Sequence, residues 1–304
     1  MKQAWQGRTD GNRWMQQQLI RCFRFLHLRI YYAGVSVVVL FYMLLAPGFR
    51  PSYRFYRRRL QQGRLRALRS SYLNHYRFGQ VIIDRFACYA GLHFDIEVEH
   101  KARFQQLADG PDAFVMLSAH VGNYELAGYS LAFSTKTLHA LVFAGETATV
   151  MENRRIQFGR THIEMIPLRD DLSHLFRLNN AIVEGDVVSL PADRCHGSEK
   201  SVECSFFGAP AHFPLGPFAL IDGRRLPALA VFVMKEDVRH YRLFVEQLSL
   251  PTADRPRAER IRHLAQQYAI LLETYVRRYP EQWFNFYDFW ARPSSSFAPS
   301  PHHD

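Results

Sequence analysis

Acidic residues are missing from a long part of this 304-residue chain: none stands between Asp10 and Asp84. Lysine is missing there too, while the same interval, residues 11–83, holds thirteen Arg. The formal net charge is +10, so everything outside the interval sums to −3. The basicity belongs to one N-terminal segment, and the rest of the chain is close to neutral. Cysteine is scarce as well. Cys22, Cys88, Cys195 and Cys204 are scattered with no CxxC pair, which excludes a disulfide scaffold and fits a reducing compartment. Cys195, His196 and Cys204 match no zinc spacing and lack a fourth ligand, so no metal is expected. There is no GxSxG elbow, Walker loop, GxGxxG turn or internal repeat, which removes the commonest hydrolase, nucleotide-binding and repeat architectures.

What the basic segment does contain is the longest uncharged apolar run, Ile30 to Pro47. As a helix, its roughly 17 residues before the proline reach about 26 Å, short of a hydrocarbon core of about 30 Å. Arg21, Arg24 and Arg29 precede it, and Arg50, Arg54 and Arg57 to Arg59 follow it. A spanning helix carries its Lys/Arg excess on one side. Basic flanks on both sides instead favour an element resting in the interface on anionic headgroups; the alternative is a buried core helix with solvated Arg ends. A duplex-binding face would not need an apolar run among its arginines, so no nucleic-acid partner is expected.

Ser70 to Leu92 reads as an amphipathic helix. From Ala113 onward, apolar runs alternate with helical stretches. Ala113–Ala119, Leu138–Phe143, Asp186–Pro191, Leu226–Met234 and Tyr241–Leu248 read as strands; Glu125–Leu131 and Leu172–Glu184 suit helices. This pattern indicates an α/β domain whose sheet is covered on both faces. Arg257 to Arg278 sets Ile261, Leu264, Tyr268, Leu271, Leu272 and Tyr275 on one helical stripe that stops before Pro280. The aromatic cluster Trp283 to Trp290 reads as a core-closing strand or turn. Three regions are expected: a basic membrane-associating segment (1–69), a catalytic domain (70–292) and a disordered Pro/Ser/His-rich tail (293–304).

Ser118 to Gly128, SAHVGNYELAG, carries the chemistry. A strand ends at Ala119, His120 emerges, Gly122-Asn123 turns, and a helix starts near Tyr124. Residues five apart on a helix point about 140° away from each other, so His120 and Glu125 can meet only if His120 sits on the strand end. There, the Glu125 carboxylate can accept from one ring nitrogen and leave the other as general base. Such a dyad activates a hydroxyl of the substrate, so the chain itself needs no Ser or Cys nucleophile.

The stretch resembles the His-x₄-Asp/Glu motif of the glycerolipid and lysophospholipid acyltransferase superfamily, and its His-x-Gly-Asn-x-Glu form resembles the bacterial lipid A late acyltransferases. Leu190 to Arg194, Phe206 to Ala211, Phe213 to Pro217, Leu226 to Leu229 and Tyr279 to Trp283 resemble further pieces of that family, in family order. Tyr124 stands where the lipid A enzymes have Trp, and Arg194 where they have Gln. The Ala192-Asp193-Arg194 string, the Phe213-Pro214-Leu215-Gly216-Pro217 string and the 283–290 string look more like a sister branch associated with aryl polyene and flexirubin-type pigment lipids. The resemblance implies a glycerolipid acyltransferase-like mixed sheet flanked by helices, with an N-terminal hydrophobic membrane-associating helix. It implies acyl transfer from acyl carrier protein or acyl-CoA to a membrane lipid hydroxyl, with no cofactor beyond that co-substrate. The catalytic domain is expected on the cytoplasmic side of the inner membrane. His120 and Glu125 are the expected catalytic pair; Asn123, Arg154, Arg155, Asp193 and Arg194 are the expected substrate-binding residues, with Arg160 beside the two phosphate-holding arginines. A non-catalytic membrane scaffold of the same fold is the competing reading, and the intact His120/Glu125 pair argues against it.

Overall fold

The apolar runs become the strands of one seven-stranded sheet in the structure, a computed structural model. It describes residues 18, 20–23, 25–45, 48–131, 136–143, 162–168, 171, 173–195 and 200–291; the tail expected from residue 293 lies outside them. Strands β1 (Asp95–Glu99), β2 (Phe114–Ser118), β3 (Leu138–Phe143), β4 (Ile163–Leu168), β5 (Val187–Pro191), β8 (Ala228–Lys235) and β9 (His240–Leu248) pair in the order 1-9-8-2-5-3-4. Neighbours run parallel except β8 and β9, so the sheet is mixed. The two edge strands, β1 and β4, are short and half exposed. They carry no continuous apolar run, which is why the sequence did not announce them.

Period-two alternation decides what each face buries. On β8, whose eight residues are all buried, Ala230, Phe232 and Met234 point into one core and Leu229, Val231 and Val233 into the other. The first core is closed by helix α8 (Arg257–Arg278), whose buried stripe runs Ile261, Leu264, Tyr268, Leu272, Tyr275 and Val276. The second is covered by α4 (Lys101–Asp109) and α5 (Glu125–Ser130), through Phe104 and Leu126. The remaining elements are α6 (Ser173–Val183), α7 (Leu215–Arg224), a 3₁₀ turn at Pro280–Gln282 and the antiparallel hairpin β6 (Ser201–Phe206) with β7 (Ala209–Pro214). Phe206 to Ala211 and Phe213 to Pro217, matched in the sequence only as family-like pieces, fall on this hairpin and on the start of α7. The hairpin's turn residues Phe207 and Gly208 both lie at positive φ, the conformation of tight two-residue hairpin turns.

The N-terminal segment is helical. α1 (Leu28–Leu45) lies against α3 (Arg64–Tyr89), with α2 (Phe49–Arg58) between them in sequence. A Cβ on Gly79 would stand 2.5 Å from Val35 Cγ1, so glycine allows the two helices to approach closely. Tyr72 donates its hydroxyl to Ser36 O at 3.0 Å. α3 begins six residues before the expected start at Ser70 and crosses the expected boundary between residues 69 and 70. Leu28, Tyr32 and Val39 face inward, while Ile30, Val37, Val38, Phe41 and Leu45 are each more than half exposed. Among the described residues, no helix is long and apolar enough to cross a membrane.

Candidate active site

The site sits at the carboxyl ends of two adjacent parallel strands, where α/β sheets place their ligands. β2 and β5 pair with Ser118 opposite Pro191. Ala192 N–H donates to Ser118 O at 3.0 Å, and one step further the same register sets His120 beside Asp193. Asp193 Oδ1 lies 2.8 Å from His120 Nδ1, and Asp193 Oδ2 accepts the His120 backbone N–H at 2.9 Å. The carboxylate therefore grips the residue at two points. Asp193 is buried, but 31% of the His120 side chain is open. Among the described residues no partner takes Nε2, which leaves that nitrogen for chemistry.

The loop after His120 is clamped from both sides. Gly122 (φ +58°) N–H donates to Gln282 O at 2.8 Å, and Asn123 N–H to Val233 O at 2.8 Å. A Cβ on Gly122 would stand 1.9 Å from Val233 O, so only glycine lets the turn press onto β8. Phe284 N–H returns a bond to His120 O at 3.0 Å, and Val121 bridges Trp283. The 283–290 cluster thus closes the core as expected: Trp283 and Phe289 are buried among Phe55, Phe206 and Phe207.

Electrostatics keep the ring neutral. Burial lowers the His120 pKa, Arg194 and Arg85 lower it further, and the pull of Asp193 upward does not compensate. At neutral pH His120 is an unprotonated base. Burial pushes the Asp193 carboxyl up, but His120, Arg194 and the backbone hydrogen bond outweigh it and hold the pKa below the usual range. Cys88, Cys195 and Cys204 do not compete as nucleophiles: burial pushes Cys88 and Cys204 to about 12 and Cys195 to about 11. Among the described residues no His/Cys/Asp/Glu group could hold a metal ion.

The bacterial lipid A biosynthesis acyltransferase family model matches residues 86–292, more than half of the chain, with His120, the clamped loop and Asp193 inside the match. The chain belongs to this family. It is an acyltransferase of lipid biosynthesis. Among solved structures it is similar to the 1-acyl-sn-glycerophosphate (LPA) acyltransferase PlsC from Thermotoga maritima. That match has 13% identity and a TM-score of 0.35, and covers 84% of this chain and 99% of that one. At that level the likeness carries no argument. No curated protein matches.

In this acyltransferase the expected partner of His120 is replaced. The ring meets Asp193, whereas Glu125 pairs with Arg85 on α3 at 3.0 Å and accepts from Tyr89 OH at 3.3 Å. The reason is the turn: Gly122 swings α5 so that its first residue faces α3, while β5 delivers Asp193 in register. Asp193 and Arg194, the expected substrate-binding residues, both lie beside the ring: Asp193 bonds to it and Arg194 lowers its pKa. Arg194 Nη2 donates to Phe284 O at 2.5 Å, and its guanidinium lies 5.6 Å from the Tyr287 ring. Asn123 is 1% exposed, its side chain stands against the Tyr241 hydroxyl, and its backbone N–H ties the turn to Val233 O. Arg154, Arg155 and Arg160 lie outside the described residues. Sequence reasoning missed Arg85 and Tyr89, and the role of Gln282. No spacing linked the first two to His120; the Tyr279-Pro280-Glu281-Gln282-Trp283 string did flag Gln282, without giving its role.

Proposed function

We propose that this acyltransferase moves a fatty acyl group from a thioester, acyl carrier protein or acyl-CoA, to a hydroxyl of a membrane lipid, with His120 as general base. The carrying observation is the two-point grip of Asp193 on His120, which orients a neutral ring and leaves Nε2 free. His120 Nε2 takes the acceptor hydroxyl proton as the oxygen attacks the thioester carbonyl carbon. The tetrahedral adduct then expels the thiolate, which recovers the proton from the imidazolium, so an ester and a free thiol result. Asp193 stabilises the transient imidazolium. Glu125 acts through Arg85: its charge offsets the guanidinium that depresses the ring. Arg154 and Arg155 hold an anionic group of the acceptor or of the donor's phosphopantetheine arm.

The acceptor is assigned to the pigment-lipid sister branch rather than to lipid A. Both departures from the lipid A pattern lie at His120: the Tyr124 ring is 5.9 Å from the imidazole, and Arg194 bears on its pKa. The protein works at the cytoplasmic face of the inner membrane, with the exposed apolar face of α1 in the interface and the flanking arginines on anionic headgroups. The test is detergent-solubilised protein given acyl carrier protein or CoA thioesters and lipid extract from a deletion strain, with products read by mass spectrometry. His120→Ala should lower transfer by about 10²–10⁴-fold in a protein that still folds. A folded His120→Ala protein working near the wild-type rate would refute the mechanism. Lipid A as sole product would refute the branch assignment.

A further inference from the structure

One buried polar cluster outside the mechanism reaches the catalytic loop. Asp84 on α3 and Lys235 at the end of β8 form an ion pair at 2.6 Å, with side chains 0% and 1% exposed. Asp84 also accepts from the hydroxyls of Tyr32 and Tyr241. Lys235 Nζ donates to Val238 O at 3.0 Å and lies 4.6 Å from the Tyr241 ring and 5.2 Å from that of Tyr32. The main chain of Lys235 is clasped in both directions by one side chain: Gln282 Oε1 accepts its N–H and Gln282 Nε2 donates to its carbonyl, each at 2.8 Å. The Gln282 carbonyl in turn holds Gly122 N–H at 2.8 Å, and Phe284, two residues on, holds His120 O at 3.0 Å. From Lys235 to His120 the path runs through these hydrogen bonds and the two residues of main chain between them.

We infer that Lys235, seated by Asp84 and Tyr32, is a positioning residue for His120, and that α1 thereby belongs to the catalytic apparatus. The inference rests on His120 being the base. A buried pair retained only for stability could be exchanged for apolar groups at little cost, whereas losing one partner strands a charge. At the end of an otherwise apolar strand, Lys235 is the polar exception. Its ammonium ties the strand end to α3 and α1 at one height, and Gln282 copies that height onto the loop. Tyr32 is the contribution of α1: its hydroxyl also lies 3.2 Å from Val238 O. If α1 shifts, the seat of Lys235 shifts with it.

The full-length enzyme carrying Tyr32→Phe, or the charge-neutral pair Asp84→Asn/Lys235→Met, would be compared with Tyr72→Phe. The last removes a different α1–α3 hydrogen bond, that to Ser36 O. Because displacement of about 1 Å can cost about 10²-fold, kcat should fall about 10- to 100-fold in the first two at a KM within about twofold. Tm of the paired variant should stay near wild type, and Tyr72→Phe should turn over normally. Wild-type kcat in Tyr32→Phe and the paired variant overturns the inference, as does a rate loss that merely tracks Tm. If the paired variant does not fold, Tyr32→Phe decides alone. A fully active His120→Ala protein, by contrast, sinks the base assignment itself.

Discussion

Asp193→Asn separates the arrangement seen here from the His–Glu dyad that the motif suggests. The substitution keeps the shape of the side chain and one acceptor oxygen. It removes the charge facing Nδ1 at 2.8 Å and can turn an NH₂ toward the ring. A charge-assisted hydrogen bond is worth about 1.5–3 kcal/mol net, and the tautomer it enforces is the one that leaves Nε2 basic. In the serine-protease triad the same carboxylate-to-amide change costs about 10⁴-fold in kcat, roughly 5.5 kcal/mol at 1.36 kcal/mol per decade. His120 is partly open, so a loss of about 10³-fold is expected here. The pH profile gives a second reading. The rate requires neutral His120 and is lost as pH falls through its folded pKa, which burial and Arg194 place below the ordinary value near 6.5. The wild-type acid limb of kcat/KM should therefore lie below pH 6.5. Asp193 raises that pKa, so in Asp193→Asn the limb should move further toward acid. The assay is steady-state transfer from pH 4.5 to 8 beside Glu125→Gln, for which about a tenfold loss is expected. Normal turnover by Asp193→Asn with an inactive Glu125→Gln would show that the working partner is Glu125.

Two further outcomes follow from the loop and from α1. Gly122→Ala places a methyl 1.9 Å from Val233 O at positive φ, so the turn must lift and lose the Gly122–Gln282 and Asn123–Val233 hydrogen bonds. About 1–2 kcal/mol for the left-handed conformation and about 1 kcal/mol per bond should lower Tm by several degrees, and an unchanged Tm would contradict the described turn. On α1, Val38→Glu with Phe41→Glu removes two exposed apolar side chains, each worth about 1.5–3 kcal/mol when buried. The protein should leave the membrane pellet, and unaltered sedimentation would dismiss this face as the contact.

Much of the fold was legible because buried strands advertise themselves. Leu138–Phe143 and Arg257–Arg278 emerge with the expected bounds, and the other central strands within two residues. Their apolar runs are continuous, as burial on both faces demands. The edges were hidden for the opposite reason. β1, with Asp95, Glu97 and Glu99 alternating outward, reads as surface. The β6–β7 hairpin was legible in principle, since Val202, Cys204 and Phe206 alternate with exposed Glu203 and Ser205.

The site divides along a different line. His120, Gly122 and Asn123 are adjacent in sequence, and their local grammar of strand end, turn and helix start could be read directly. What holds His120 could not, because it depends on which strand lies beside β2. Placing β5 there puts the second residue after each strand side by side, so an Asp following Leu-Pro-Ala becomes the natural partner of a His following Leu-Ser-Ala. The spacing His-x₄-Glu pointed to the nearest carboxylate along the chain; register selects the nearest one in space. The consequence is testable in the chemistry. Both carboxylates are buried, but Asp193 is delivered by a neighbouring strand, whereas Glu125 stands in the first turn of a six-residue helix and is already engaged by Arg85. In the mechanism proposed, a base that accepts a proton and returns it to a thiolate each turnover needs its orientation fixed throughout. The strand-borne Asp193 holds His120 with two bonds, and on the proposed mechanism the helix-borne Glu125 is the counter-charge to Arg85.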